Sequence, residues 1–129
     1  MILLTDTVAL IWHLRRHRKL SKRARQLLEG ADAAQHTVYI SVITLMEMLH
    51  VIERRELKMR LDDVIKHIIA SPGYVILPLD EEIVRIAGGI GDVPELHDRM
   101  LVATAMLFQV PILTNDPVIA ASRHATAIW

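Results

Sequence analysis

The chain of 129 residues contains no cysteine. This absence excludes disulfide bonds, thiolate metal ligands and a cysteine nucleophile. Aromatic residues make up only 4% of the sequence, whereas apolar residues make up 52%. The core must therefore consist mainly of Leu, Ile, Val, Ala and Met, and base stacking on aromatic side chains is excluded as a major mode of nucleic-acid binding.

The sequence also lacks a net charge and a membrane-spanning segment. Its longest uncharged stretch, MLVATAMLFQVPILTN over residues 100–115, contains Gln and Pro and is shorter than a membrane span requires. No basic segment precedes Asp6, as a signal peptide would require. We therefore predict a soluble, cytoplasmic protein that makes no membrane contact.

The zero net charge conceals one strongly basic segment, RRHRKLSKRAR, at residues 15–25. It holds seven of the fifteen Lys and Arg residues and no acid. Such a segment either forms a solvated face or binds a polyanion. Both interpretations remain open at this point.

Strand and helix patterns alternate along the whole chain. The predicted strands are ILLT, TVYIS, YVILPL, VPILT and TAIW. Of the helices, the second is predicted to begin after Ser21 and to end at Gly30, a long one is predicted over residues 41–57, and Asp80 is predicted to cap another. The alternation predicts one α/β domain over residues 1–129, with right-handed crossovers.

Four carboxylates stand among apolar residues: Asp6, Glu47, Asp98 and Asp116. Six other acids lie in polar clusters and are expected to face water: Glu53, Glu56, Asp62, Asp63, Glu81 and Glu82. Asp6 directly follows the first strand and Asp116 follows the fourth, and ligands of open α/β sheets bind at the carboxyl ends of strands. Each acid also has a structural explanation, since the aspartates suit helix caps and Glu47 has capping-box spacing from Thr44. Together, however, four clustered carboxylates require a cation, and an all-oxygen site favours Mg²⁺ or Mn²⁺.

The segments that carry these acids resemble a known family. LLTDT, SVITLMEM, LHDRMLVATA and PILTND are similar, in order and spacing, to the signature segments of PIN-domain ribonucleases, in particular VapC-type toxins of toxin–antitoxin modules. The resemblance covers essentially the whole chain and implies a three-layer α/β/α fold with a mostly parallel sheet. It also implies an endoribonuclease that cleaves single-stranded RNA with Mg²⁺ or Mn²⁺ and leaves a 5′-phosphate and a 3′-hydroxyl. Asp6, Glu47, Asp98 and Asp116 would be the catalytic residues and metal ligands.

Four further positions match the family less tightly. Thr7 matches the hydroxyl residue after the first aspartate, and Thr114 matches a hydroxyl residue that supports the site. Arg99 matches a frequent Asp-Arg pair, so that it would either hold Asp98 or approach a phosphate. Val8 stands where the family often has Ser or His, which removes one polar contact.

The resemblance also implies partners. An acidic pocket repels RNA, so a cationic rim is needed, and we assign this substrate-binding role to Arg15, Arg16 and Arg18. A small antitoxin and a homodimer are expected, with contacts on exposed apolar faces of the second or third helix.

Several alternatives fit less well. A di-iron helix bundle would need a second Glu-x-x-His beside Glu47 and His50, and a haloacid-dehalogenase-type phosphatase would need an aspartate at Val8. A zinc pair of His13 and His17 would stand in a strongly cationic segment. Two functional alternatives stay open: a PIN fold that binds RNA or protein without cleavage, and an RNA-processing nuclease that is not a toxin.

Overall fold

Strands and helices alternate along the chain, as predicted. The computed structural model describes Met1–Trp129. The strands are β1 (Ile2–Thr5), β2 (Thr37–Ser41), β3 (Tyr74–Leu77), β4 (Ile112–Leu113) and β5 (Ala127–Ile128). The helices are α1 (Thr7–Leu14), α2 (Lys22–Asp32), α3 (Val42–Glu53), α4 (Leu61–Ala70), α5 (Glu81–Gly88), α6 (Leu96–Phe108) and α7 (Pro117–Ala121). No helix is both long and apolar enough to cross a membrane.

The five strands form one sheet in the order β3-β2-β1-β4-β5, and every strand pair is parallel. The prediction of an α/β fold is confirmed, and the expected mostly parallel sheet is parallel throughout. The chain leaves β1 toward β2 on one side and returns to β4 on the other. The crevice at the carboxyl ends of β1 and β4 is therefore the switch point at which open α/β sheets bind ligands.

Helices cover both faces of the sheet. Leu3 and Leu113 belong to one hydrophobic core, with side chains from α1, α2 and α4. Their neighbours Leu4 and Ile112 belong to a second core, with side chains from α5, α6 and α7. Because successive strand residues point to opposite faces, this division gives the three α/β/α layers that were expected.

Two predicted helix ends are wrong. Helix α2 does not end at Gly30 but continues to Asp32, and the His36 ring packs where a Cβ on Gly30 would be. Gly30 is thus needed for close packing and not for a turn. The long helix predicted over residues 41–57 stops at Glu53, because Arg55 adopts a left-handed backbone with φ of 59°.

Candidate active site

The structure brings the four apolar-flanked carboxylates together in one cavity. Asp6, Glu47, Asp98 and Asp116 line a space of about 320 Å³ at the carboxyl ends of β1 and β4, which we call the acidic cavity. Four separate segments supply them: the β1–α1 junction, α3, α6 and the β4–α7 junction. The parallel sheet order brings these distant parts of the sequence to one edge.

Asp6 combines a structural and an electrostatic role. It is the N-cap of α1, with Oδ1 accepting a hydrogen bond of 2.7 Å from the Ala9 N–H. Only 7% of the residue is exposed, and this burial is the main cause that raises its pKa above the usual range. Asp116 and Glu47 raise the pKa further, whereas the Thr114 hydroxyl and the Ala9 N–H lower it.

Asp116 is bound to its helix in the same way. Its Oδ1 accepts hydrogen bonds from the N–H groups of Val118 (2.8 Å) and Ile119 (3.1 Å) and so caps α7. Its own N–H donates to Thr114 Oγ1 at 3.0 Å. Thr114 is buried beside both aspartates, and its role in the site stays a prediction.

Asp98 is not a helix cap, so the structural explanation for this residue is wrong. The N-cap of α6 is Glu95, whose Oε2 accepts a 2.7 Å hydrogen bond from the Asp98 N–H. Burial, followed by repulsion from Glu95 and the other three cavity acids, raises the pKa of Asp98 to about 6. The helix does not need this carboxylate, which leaves it available to a ligand.

Glu47 does not form a capping box either. Helix α3 is capped by Ser41, whereas Glu47 Oε1 accepts a 2.8 Å hydrogen bond from the Thr7 hydroxyl. The Thr7 hydroxyl is also 3.3 Å from Thr44 Oγ1. Thr7 has a single hydroxyl proton, and Glu47 is the nearer acceptor, so both hydrogen bonds can form together only if Thr44 donates to Thr7.

Sequence reasoning missed this role of Thr44, which it treated only as a possible start of the helix. Thr44 is completely buried. The available signal was its position three residues before Glu47, since residues at i and i+3 share one helix face.

The acidic cavity fits a hard divalent cation by its chemistry. All four acidic side chains offer carboxylate oxygens, and the Oδ2 atoms of Asp6 and Asp116 take no part in helix capping. No group of three or more His, Asp or Glu side chains is already arranged to hold a metal ion, so binding requires side-chain adjustment. The raised pKa values of Asp6 and Asp98 show the cost of keeping these acids ionised without a cation.

The predicted substrate-binding arginines do not line the acidic cavity. Arg99 follows Asp98 on α6, and its Nε is buried without a hydrogen-bond partner and without an ion pair. Arg15, Arg16 and Arg18 lie beyond the far end of α1. Their RNA contacts remain a prediction.

The histidines have local partners. His13 Nε2 lies 2.8 Å from Asp32 Oδ2, and His17 stacks on Trp12 with ring centroids 5.1 Å apart. The two therefore do not form a zinc pair. His97 pairs with Glu95 at 3.1 Å.

Comparisons with known proteins agree with this arrangement. The family model of the PIN domain matches residues 3–123. No curated protein sequence gives a significant match. The fold is similar to that of VapBC2 from Rickettsia felis, solved bound to a DNA fragment from its promoter, with a TM-score of 0.75, 16% identity and coverage of 99% of this chain and 98% of that one.

Two more solved structures are similar. A toxin–antitoxin complex from Klebsiella pneumoniae has a TM-score of 0.68, 21% identity and coverage of 98% of this chain and 96% of that one. FitAcB from Neisseria gonorrhoeae has a TM-score of 0.62, 26% identity and coverage of 90% and 88%, respectively.

Proposed function

Since the chain belongs to the PIN-domain family, whose members are generally nucleases, we propose that it is a metal-dependent endoribonuclease that cleaves single-stranded RNA. One observation supports this most directly: four carboxylates from four segments line one cavity at the switch point of the sheet. Helix capping explains only part of this arrangement, because neither Asp98 nor Glu47 caps a helix.

We assign a role to each carboxylate of the acidic cavity. Asp6, Asp98 and Asp116 would hold Mg²⁺ or Mn²⁺, and Glu47 would act as a further ligand or orient the attacking water. A bound divalent ion would stabilise the negative charge that develops on the phosphate and its leaving oxygen.

The protein itself fixes the positions of these groups. The Thr44–Thr7–Glu47 chain of hydrogen bonds restrains one oxygen of Glu47 and leaves the other free to accept a hydrogen bond from water. The caps on α1 and α7 likewise restrain one oxygen each of Asp6 and Asp116. Such preorganisation limits the reorganisation needed during the reaction.

We further propose that the enzyme is the toxin of a toxin–antitoxin pair. The similar structures include toxin–antitoxin complexes, which supports a small antitoxin as partner. Helix α3 exposes Met46 (46%) and Leu49 (39%), an apolar face suited to an antitoxin or to a homodimer contact.

The test is cleavage of a single-stranded RNA with Mg²⁺ by the Asp6→Asn and Asp98→Asn variants. Both should lose cleavage and keep the fold, because each removes one charge from a self-repelling cluster. Thermal melting reports the fold, and Asp62→Asn on the exposed face of α4 is the matched control. Full activity in either cavity variant would contradict the site assignment.

The toxin role has a test of its own. Growth arrest on expression of the chain, relieved by Asp98→Asn, would support it.

A further inference from the structure

A second cavity lies at the opposite end of α1 from the acidic cavity. It encloses about 700 Å³, and three arginines and three acids line it: Arg16, Arg25, Arg60, Glu29, Asp32 and Asp63. We call it the basic cavity after its arginines. Thr7 and Val8, at the start of α1, line the acidic cavity, whereas His13 and Leu14, at its end, line the basic one. The two cavities are therefore joined by a single helix.

Three arginines reach the basic cavity from three different segments. Arg16 lies in the turn after α1, Arg25 on α2, and Arg60 directly before α4. None of the three forms an ion pair, although Glu29 and Asp63 line the same cavity. A guanidinium group that faces a cavity without a carboxylate partner keeps its five N–H donors available.

Asp32 does not compete for these arginines. Its Oδ2 lies 2.8 Å from His13 Nε2 and its Oδ1 lies 3.9 Å from His67 Nε2. One oxygen of this acid thus forms a hydrogen bond with His13, and the other lies near His67. The planar guanidinium fork matches the oxygens of a phosphate group, for which arginine is the preferred residue.

We propose that the basic cavity binds backbone phosphates of the RNA strand whose scissile phosphate lies in the acidic cavity. The proposal rests on the proposed nuclease function and adds Arg25 and Arg60 to its substrate contacts. The eight residues of α1 span about 12 Å at 1.5 Å per residue. An RNA strand of several nucleotides is long enough to reach from one cavity to the other.

The test measures RNA affinity as a function of salt, in an Asp98→Asn background that prevents cleavage. In this background, Arg25→Gln with Arg60→Gln should weaken binding of a 20-nucleotide strand. Loss of two phosphate contacts should reduce the slope of log K against log salt by about 1.4, at about 0.7 per phosphate of single-stranded nucleic acid. A double lysine variant at the same positions should keep the slope, because the charge is retained.

The matched control is Arg54→Gln with Arg85→Gln, which removes the same charge from exposed ion pairs outside both cavities. This control should leave the slope unchanged. A mononucleotide is too short to reach from one cavity to the other, so it gains nothing from binding in both. The loss of affinity in the glutamine variant should therefore be larger for the long strand than for the mononucleotide.

Two results would overturn the proposal. One is an equal salt slope for the glutamine variant and the control. The other is a loss of affinity for an acidic peptide of Glu and Asp without a loss for RNA, which would make the cavity a protein-binding site. Since binding is measured without cleavage, a chain that binds RNA as expected but never cleaves it would contradict the nuclease function alone.

Discussion

At the scale of single residues, two carboxylates each serve both the fold and the candidate site. Asp6 and Asp116 each place Oδ1 on the N–H groups of the helix that follows and leave Oδ2 outside the cap. From the sequence, capping and metal binding were competing explanations for both residues. The structure shows that capping is real, and it is compatible with ligand binding because a carboxylate has two oxygens.

The buried hydroxyl of Thr44 gives a prediction at this scale. Thr44→Val should reduce cleavage about fivefold, because it removes a hydrogen bond worth about 1 kcal/mol in the chain that restrains Glu47. It should also weaken Mn²⁺ binding, which can be measured by titration without RNA. Because Thr44 acts through Thr7 on Glu47, the loss should fall on kcat more than on KM.

Thr44→Ser is the matched control, because it keeps the hydroxyl and removes only the methyl group. The serine variant should retain both cleavage and Mn²⁺ affinity. If serine and valine reduced them equally, Thr44 would matter for packing and not for the orientation of Glu47.

At the scale of helices and strands, the sequence predicted where helices begin better than where they end. Ser21 and Asp80 cap α2 and α5 as predicted, since a cap depends on residues within one turn. Helix α2 ends instead before Ala34, which adopts a left-handed backbone with φ of 60°, whereas Gly30 lies inside the helix and packs against His36. No pattern within α2 itself signals that contact.

Gly73 gives a prediction at this scale, because it lies where β3 begins beside the end of α2. A Cβ at this position would overlap the backbone carbonyl group of Ala31. Gly73→Ala should therefore lower the free energy of unfolding by roughly 1–3 kcal/mol, the usual cost of overpacking. Denaturant unfolding monitored by circular dichroism measures this change.

Gly88 in α5 provides the comparison, since a Cβ there meets no atom within 4 Å. Gly88→Ala should be neutral or stabilise the protein by up to about 1 kcal/mol, because alanine favours helix. A Gly73→Ala variant as stable as Gly88→Ala would show that α2 and β3 separate easily.

At the scale of the whole molecule, zero net charge hides a separation of charge along α1. The sequence predicted the four acids and the basic segment, but not the distance between them. That distance follows from α1, which leads away from the carboxyl end of β1 and places residues 15–25 beyond its far end. A cationic rim was expected around the acids, but no Arg or Lys lines the acidic cavity. Two arginines of the basic segment line the separate basic cavity, together with Arg60, which lies outside that segment.

The acidic cavity makes the stability of the whole molecule depend on pH and on divalent ions. Burial, followed by repulsion from neighbouring acids, raises the pKa of Asp98 from 3.8 to about 6, and the pKa of Asp6 is also raised. The folded state therefore favours the protonated acids more than the unfolded chain does. Their contribution to stability is fully present below pH 3.8 and is lost as the pH rises through 6.

Mg²⁺ should reverse this loss, because it binds the ionised carboxylates of the folded state. At pH 7.5 the melting temperature should rise with Mg²⁺, and a concentration of 100 times Kd adds about 2.7 kcal/mol to the free energy of unfolding. At pH 5, where protonated Asp98 predominates, the rise should be much smaller.

Asp98→Asn should weaken both the pH dependence in EDTA and the response to Mg²⁺. KCl at matched ionic strength separates ion binding from general screening. Equal responses to KCl and MgCl₂ at pH 7.5 would mean that the four carboxylates do not form a divalent-ion site.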